Sequence, residues 1–160
     1  MTTHVDNERD EVIKYTADMV IMRLNPARVV MVRRKWDPFA DMWAIPGGHV
    51  NRGETAKAAA IREALEEADL MILNPHFVSP LATYDEPDRD PRGRYVSQAF
   101  LTVVRVPYAL RAADDAKEAA WLPVNELGQI HDPLTGDWIN PAFDHATILA
   151  DAYNRLHPLH

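Results

Sequence analysis

Three glutamates, Glu63, Glu66 and Glu67, fall within one five-residue stretch. On a helix, at about 100° per residue, they lie within about 100° of one another on one face. Like charges at these spacings repel and weaken a helix slightly. A divalent cation reverses that cost. Magnesium is a hard ion that takes oxygen ligands and is often held by carboxylates together with substrate phosphates. By itself, Glu-x-x-Glu-Glu is equally the sequence of a solvated acidic helix face. Its neighbours separate the two readings. Arg62 stands directly before Glu63, and Glu54 lies eight residues before Arg62. Upstream of both is Pro46-Gly47-Gly48, where the backbone must turn sharply or approach something closely. That backbone offers a main-chain carbonyl as a further oxygen ligand.

The elements around this cluster must hold it in place. Thr55–Ala68 is rich in Ala, Glu, Lys, Arg and Leu and is expected to be the helix that carries it. The wheel sets Ala58, Ile61, Leu65 and Ala68 opposite the carboxylates. The expectation is an apolar flank on a sheet and acids pointing away from it. Tyr15–Leu24 and Arg28–Arg33 read as paired strands around Asn25-Pro26. Phe77–Tyr84 and Tyr95–Val106 read as strands about a polar loop, and Ala119–Leu122 as a short one. Pro141–Leu156 reads as a second helix, with Asn140 as its N-cap and proline at its first position. Strands, helix, strands, helix make an α+β chain with a mixed sheet.

The bulk properties narrow the function classes. The chain has 160 residues, 47% hydrophobic, a size that suits one domain spanning 1–160 with residues 1–12 as a flexible N-terminal segment. No cysteine is present, which excludes disulfides and thiolate zinc sites. The net charge of −7 suits a generic nucleic-acid binder poorly, because that affinity rests on Lys and Arg. No apolar run approaches the roughly 20 residues of a membrane span. The start of the chain lacks the basic and apolar regions of a secretory signal. A cytoplasmic location fits these features.

The charged residues together resemble the Nudix hydrolases. The family pattern runs from a Gly, through five residues to Glu, and through seven more to Arg-Glu. An aliphatic residue, any residue, Glu-Glu, any residue, Gly and an aliphatic residue follow. Here Gly48, Glu54, Arg62-Glu63 and Glu66-Glu67 stand at those positions. Two positions depart from it. Ala64 is smaller than the usual aliphatic residue, and Asp69 replaces the usual Gly near the helix end. Asp tolerates a left-handed conformation better than most residues.

The resemblance implies an α/β/α sandwich and a pyrophosphohydrolase. Glu63, Glu66 and Glu67 would ligate Mg²⁺, or Mn²⁺, with the Gly48 carbonyl. Glu54 and Arg62 would pair to orient the loop against the helix. The general base varies in this family. Glu66, Glu67 and an acid from the loop Asp114–Glu118, with Glu118 preferred, are the candidates.

The string Tyr84-Asp-Glu-Pro-Asp-Arg89-Asp-Pro-Arg92-Gly-Arg94 sets three arginines in six residues of an acidic protein. Arginine suits bidentate phosphate recognition, so Arg89, Arg92, Arg94 and Tyr84 are substrate-binding candidates. Within it Arg89-Asp90-Pro91-Arg92-Gly93, together with Ala142-Phe143-Asp144-His145, looks like members that cleave ADP-ribose to AMP and ribose 5-phosphate. Trp36, Phe39, Tyr15 and Tyr84 are aromatic candidates for stacking on a base. The seven histidines show no metal-ligand spacing and read as structural. Members of that group are often dimers, which makes a homodimer an expectation. Two alternatives stay open. One is another Nudix substrate: a dinucleoside polyphosphate, NADH or an oxidised nucleoside triphosphate. The other is a non-catalytic ADP-ribose sensor, disfavoured by the intact carboxylates and by the four residues after Leu156.

Overall fold

The computed structural model describes residues 10–105, 108–112 and 116–158. In chain order the strands are β1 (Lys14–Arg23), β2 (Arg28–Arg34), β3 (Trp43–Ala44) and β4 (Gly47–His49). Helix α1 (Ala56–Ala68) follows, then β5 (Ser79–Tyr84), β6 (Tyr95–Val103) and β7 (Ala116–Pro123). The short strands β8 (Ile130–His131) and β9 (Trp138–Ile139) precede helix α2 (His145–Leu156). Residues 1–9 of the expected N-terminal segment, Val106 of the expected strand, and Asp114 and Asp115 among the candidate bases lie outside the described residues.

The main sheet is mixed, in the order β3-β2-β1-β6-β5, with β4 also paired to β1 and β7 to β2. β1 runs parallel to β6 and antiparallel to β2 and β4. Its side chains alternate between two cores. Met19 and Ile21 join Ala60, Ala64 and Ala68 of α1, whereas Val20 and Met22 join Ile148, Leu149 and Ala152 of α2. A helix on each face is the expected α/β/α sandwich, and it explains why the centre of β1 reads as one apolar run.

β1 and β2 pair only near their shared turn, at Met22↔Val29 and Arg23↔Arg28. Beyond that they part. β3 follows β2, β4 follows β1 at Thr16↔His49 to Asp18↔Gly47, and the chain between them bridges the split. The Gly47–Gly48 segment is therefore strand set in a cleft of the sheet, where the turn-or-approach alternative resolves to close approach.

Helix α1 starts and stops on local signals. Thr55 caps it by accepting from Ala58 N, and Asp69 ends it at φ 54°. The Asp69 N–H bonds Leu65 O at 3.0 Å, and Leu70 N bonds Ala64 O at 3.2 Å. These bonds satisfy carbonyls that a helix end leaves orphaned.

The expected apolar flank is corrected in part: Ala68 is buried and Ile61 packs partly buried against the core, but Ala58 and Leu65 are not on the sheet side. The residues α1 buries are Ala59, Ala60, Ala64 and Ala68, while Leu65 is 40% exposed and Ala58 is exposed. Small side chains let the helix approach the sheet closely. The sheet-facing arc then includes Glu63 and Glu67, which point toward the sheet and not away from it.

Other boundaries shift for tertiary reasons. Pro75–Phe77 forms a 3₁₀ turn capped by Asn74, so the strand expected from Phe77 begins at Ser79. The last helix begins at His145 with Asp144 at its N-cap, which displaces the expected Asn140 cap and Pro141 start. Ala142 to Asp144 instead serve the site.

Candidate active site

A cavity of about 390 Å³ opens where the sheet splits. Its wall includes Asp18, Arg34, Trp36, Gly47, Gly48, Glu63, Glu67, Arg89, Arg92, Tyr95, Phe143 and His145. The size lies within the usual range for small-molecule sites.

Glycine at 47 and 48 is a steric requirement. A Cβ on Gly48 would lie 2.3 Å from Glu63 Oε1, and one on Gly47 would lie 2.2 Å from Asp18 Oδ1 and 2.6 Å from Ala17 O. The two positions should respond differently. Gly48→Ala displaces the end of a flexible side chain, so the fold should survive while the site is disturbed. Gly47→Ala meets backbone, and overpacking of that kind costs about 1–3 kcal/mol. Thermal melts should show the larger drop for Gly47→Ala; the reverse order would refute this account.

Beneath the two glycines the acids crowd. Glu67 Oε1 accepts from Gly47 N at 3.4 Å. Burial, then the neighbouring Glu63, push the Glu67 carboxyl well above the usual carboxylate range. Asp18 adds to the same shift and is itself buried, accepting from Ser97 Oγ.

Arg62 organises the other side of the cluster. Its Nε and Nη2 make a bidentate pair with Glu54 at 2.8 and 3.1 Å, and Nη2 also reaches His49 O at 2.9 Å. Nη1 bonds Glu63 Oε1 at 2.8 Å and Glu66 Oε2 at 3.0 Å. The Arg62 bonds, then the Asn51 N–H, hold the Glu54 carboxyl below its ordinary value. This network ties the loop before α1 to the helix.

The opposite wall joins two strings that lie far apart in sequence. Arg89 donates from Nε and Nη2 to Asp144 at 2.8 and 2.7 Å, and its side chain is only 5% exposed. Burial alone would lower its proton affinity, but the Asp144 pair outweighs this and raises it. Arg92 makes a bidentate pair with Asp90 at 3.0 and 2.8 Å. Its guanidinium lies 4.8 Å from the Tyr95 ring centre and 5.6 Å from that of Phe143. Arg34 lies over the same Phe143 ring at 4.9 Å.

The candidates from sequence divide by position. Gly48, Glu63, Glu67, Arg89, Arg92 and, of the four aromatics, Trp36 line the cavity. Glu66 sits beside it, held by Arg62. Tyr84 donates its hydroxyl to Asp151 at 2.7 Å, away from the cavity wall. Arg94 is also off that wall, with Glu11 at 3.9 Å. Glu118 belongs to strand β7, not to a loop, and meets Arg33 at 3.5 Å. Arg33, not Glu118, reaches the cavity.

Several residues of the cavity wall, Asp18, Tyr95 and His145 among them, were missed from sequence. Asp18 carried a signal, an acid inside an apolar strand. His145 carried none from spacing, and the structural reading of the histidines omits that this one lines the cavity. Its Nδ1 accepts from Ile45 N at 3.0 Å, and Nε2 lies 3.9 Å from Asp18 Oδ1. Burial pushes this imidazole below its ordinary value, against the pull of Asp18 and Asp144.

Among the described residues no group of three or more His, Asp or Glu side chains already converges as a ready cation site. The donor chemistry nevertheless fits one. Asp18, Glu63 and Glu67 leave negative charge crowded in a half-enclosed space, and Arg62 reaches a Glu63 oxygen but no Glu67 oxygen. Glu63, Glu67 and the Gly48 carbonyl are the groups that would hold a divalent ion.

The fold and this cluster define a class, and the comparisons agree with it. The NUDIX domain family matches residues 14–143, and the chain belongs to that family. It is 39% identical over 124 residues to an ADP-ribose pyrophosphatase of Methanocaldococcus jannaschii, covering 78% of this chain and 64% of that protein. The chain thus spans just under two-thirds of that curated relative. A MutT/nudix family protein from Enterococcus faecalis superposes with a TM-score of 0.81 at 32% identity, covering 92% of this chain and 63% of the other. A bifunctional NMN adenylyltransferase/ADP ribose pyrophosphatase from Francisella tularensis, solved with AMP and a manganese ion, gives a TM-score of 0.64 at 32% identity. It covers 73% of this chain and 36% of that one.

Proposed function

We propose that this chain hydrolyses the pyrophosphate bond of a nucleoside diphosphate joined to another group, with ADP-ribose as the preferred substrate and Mg²⁺ as the cation. One observation carries the reading. Glu63 and Glu67 meet under the Gly47–Gly48 backbone, in a cavity whose far wall presents Arg92 between two aromatic rings. The names of the relatives from Methanocaldococcus jannaschii and Francisella tularensis support the substrate, and the AMP and manganese of the latter support the product and a divalent ion.

When bound, the cation neutralises phosphate oxygens and lowers the pKa of water. Glu63, Glu67 and the Gly48 carbonyl would hold it, with Glu66 beside them on the Arg62 network. Arg62 holds Glu63 and the loop before α1 in register. Among the described candidate bases, Glu66, Glu67 and Glu118, only Glu67 lines the cavity, which favours its carboxylate as acceptor of the water proton. Arg92, steadied by Asp90, faces the substrate anion. Arg89 donates from Nε and Nη2 to Asp144, which makes it first a builder of the wall. Trp36, exposed and on the cavity wall, offers a flat apolar surface for a base, whereas the Tyr95 and Phe143 rings are already covered by Lys14, Arg34 and Arg92.

A panel of ADP-ribose, dinucleoside polyphosphate, NADH and oxidised nucleoside triphosphate tests this reading, with Mg²⁺ or EDTA. ADP-ribose should turn over fastest, giving AMP and ribose 5-phosphate, and EDTA should abolish the reaction. Preference for another member of the panel would move the assignment within the family. Tight ADP-ribose binding without turnover would make the protein a sensor.

A further inference from the structure

Four consecutive residues at the entry to α2 each make a tertiary contact in or beside the cavity. Ala142 N donates to Trp43 O at 2.8 Å. Phe143, at φ 54°, packs edge-on against Phe39 at 4.7 Å and lies between two guanidinium groups. Asp144 receives Arg89, and His145 receives the Ile45 N–H. Two of the four therefore hold Trp43 to Ile45, which leads through Pro46 into the Gly47–Gly48 backbone.

That short crossing depends on outside partners. β3 ends at Ala44 and β4 begins at Gly47. Pro46 has no N–H, although its carbonyl accepts from Met19 N at 2.9 Å. Ile45 N–H is the donor the crossing must satisfy, and Ile45 is 2% exposed. An unpaired amide there would be costly. The His145 ring meets that need and reaches further. With Nδ1 accepting, the proton of the neutral ring lies on Nε2, the side that faces Asp18. Asp18 in turn occupies the space a Cβ on Gly47 would need. One buried imidazole thus lies between the backbone before Gly47 and the carboxylate beneath it.

We propose that His145 is a positioning residue. It holds the Ile45–Gly48 backbone through the Ile45 N–H, with Nε2 turned toward the Asp18 carboxylate, and so sets Gly47 and Gly48 over Glu67 and Glu63. The consequence for turnover rests on the function proposed above; the consequence for the backbone does not.

Three variants separate the two sides of the ring. His145→Asn places an oxygen near the position of Nδ1 and can still accept from Ile45 N. His145→Gln extends toward Asp18 and lacks that acceptor. His145→Ala lacks both. Asn should keep turnover near wild type, whereas Gln and Ala should lower kcat about a hundredfold, the scale of small misplacements at a reacting centre, with KM little changed. Amide hydrogen exchange gives a readout free of activity. Ile45 and Gly47 should stay protected in Asn and exchange faster in Gln and Ala, while Val20 and Val30 in the sheet stay protected in all three. Unchanged Ile45 protection in the Gln and Ala variants would overturn the proposal, as would equal kcat in all three or losses that track melting temperature alone. If the wild type cleaves no nucleoside diphosphate, the functional reading fails while the exchange data still judge His145.

Discussion

Glu67→Gln should reduce turnover by about two to four powers of ten, the usual weight of a positioned acid or base, while the protein stays folded. The geometry explains why the two effects separate. Glutamine keeps an oxygen that can accept from Gly47 N and gains an amide that can donate to Glu63. It removes one charge from a space shared with Glu63 and Asp18. Melting measured in EDTA should therefore be unchanged or slightly higher. A group that raises activity at no gain in stability is what a functional site leads one to expect. Full activity in this variant would remove Glu67 from its role. Lost activity together with a large drop in melting temperature would make Glu67 a structural residue.

The second large effect concerns Arg89 and Asp144. Arg89→Ala leaves Asp144 without its fork-shaped partner; breaking a fully buried pair costs about 3–5 kcal/mol, and this part-buried one, with Asp144 21% exposed, should fall near the lower end. For a chain of this size about 2–4 °C of melting temperature accompanies each kcal/mol, so a fall of about 10 °C is expected. Asp144→Ala should be similar or worse, because it strands a guanidinium that is 5% exposed. The pair replaced together, Arg89→Met with Asp144→Leu, should lose less than either single change, because no lone charge stays buried. Calorimetry or circular dichroism on the four proteins decides it. Additive losses would show that the two residues act independently. Turnover should fall in all three variants, because the same contact sets Phe143 against Arg92.

Much of α1 was legible in advance because its signals are local. Its left-handed end at Asp69 and the carboxylate spacing depend on residues a turn or two away, although Thr55, read as its first helical residue, is its N-cap. Which flank faced the sheet was not legible from hydrophobicity. Leu65 is more apolar than Ala60 or Ala64, yet the alanines are buried because close approach to β1 rewards small side chains. The start of α2 misled for a related reason. Pro141 is a good first helical residue, but Ala142 to Asp144 make tertiary contacts that a helix there would break. The pairs β8–β9 and β1–β4 went unseen, since runs of two or three residues carry no periodicity.

Sequence alone determined the chemistry available: a spaced set of acids, an arginine to organise them, and glycines where nothing larger fits. These are matters of residue type and short spacing, and local geometry follows from them. The tertiary structure decided which groups share a space. The parting of β1 and β2 opened the cleft, and the entry to α2 joined Arg89 and Arg92 to Asp144 and Phe143. His145 came beneath Ile45 by the same packing. Contacts between residues fifty to a hundred positions apart, such as Arg89–Asp144 and Ile45–His145, depend on how the layers close, and no short stretch of chain encodes that.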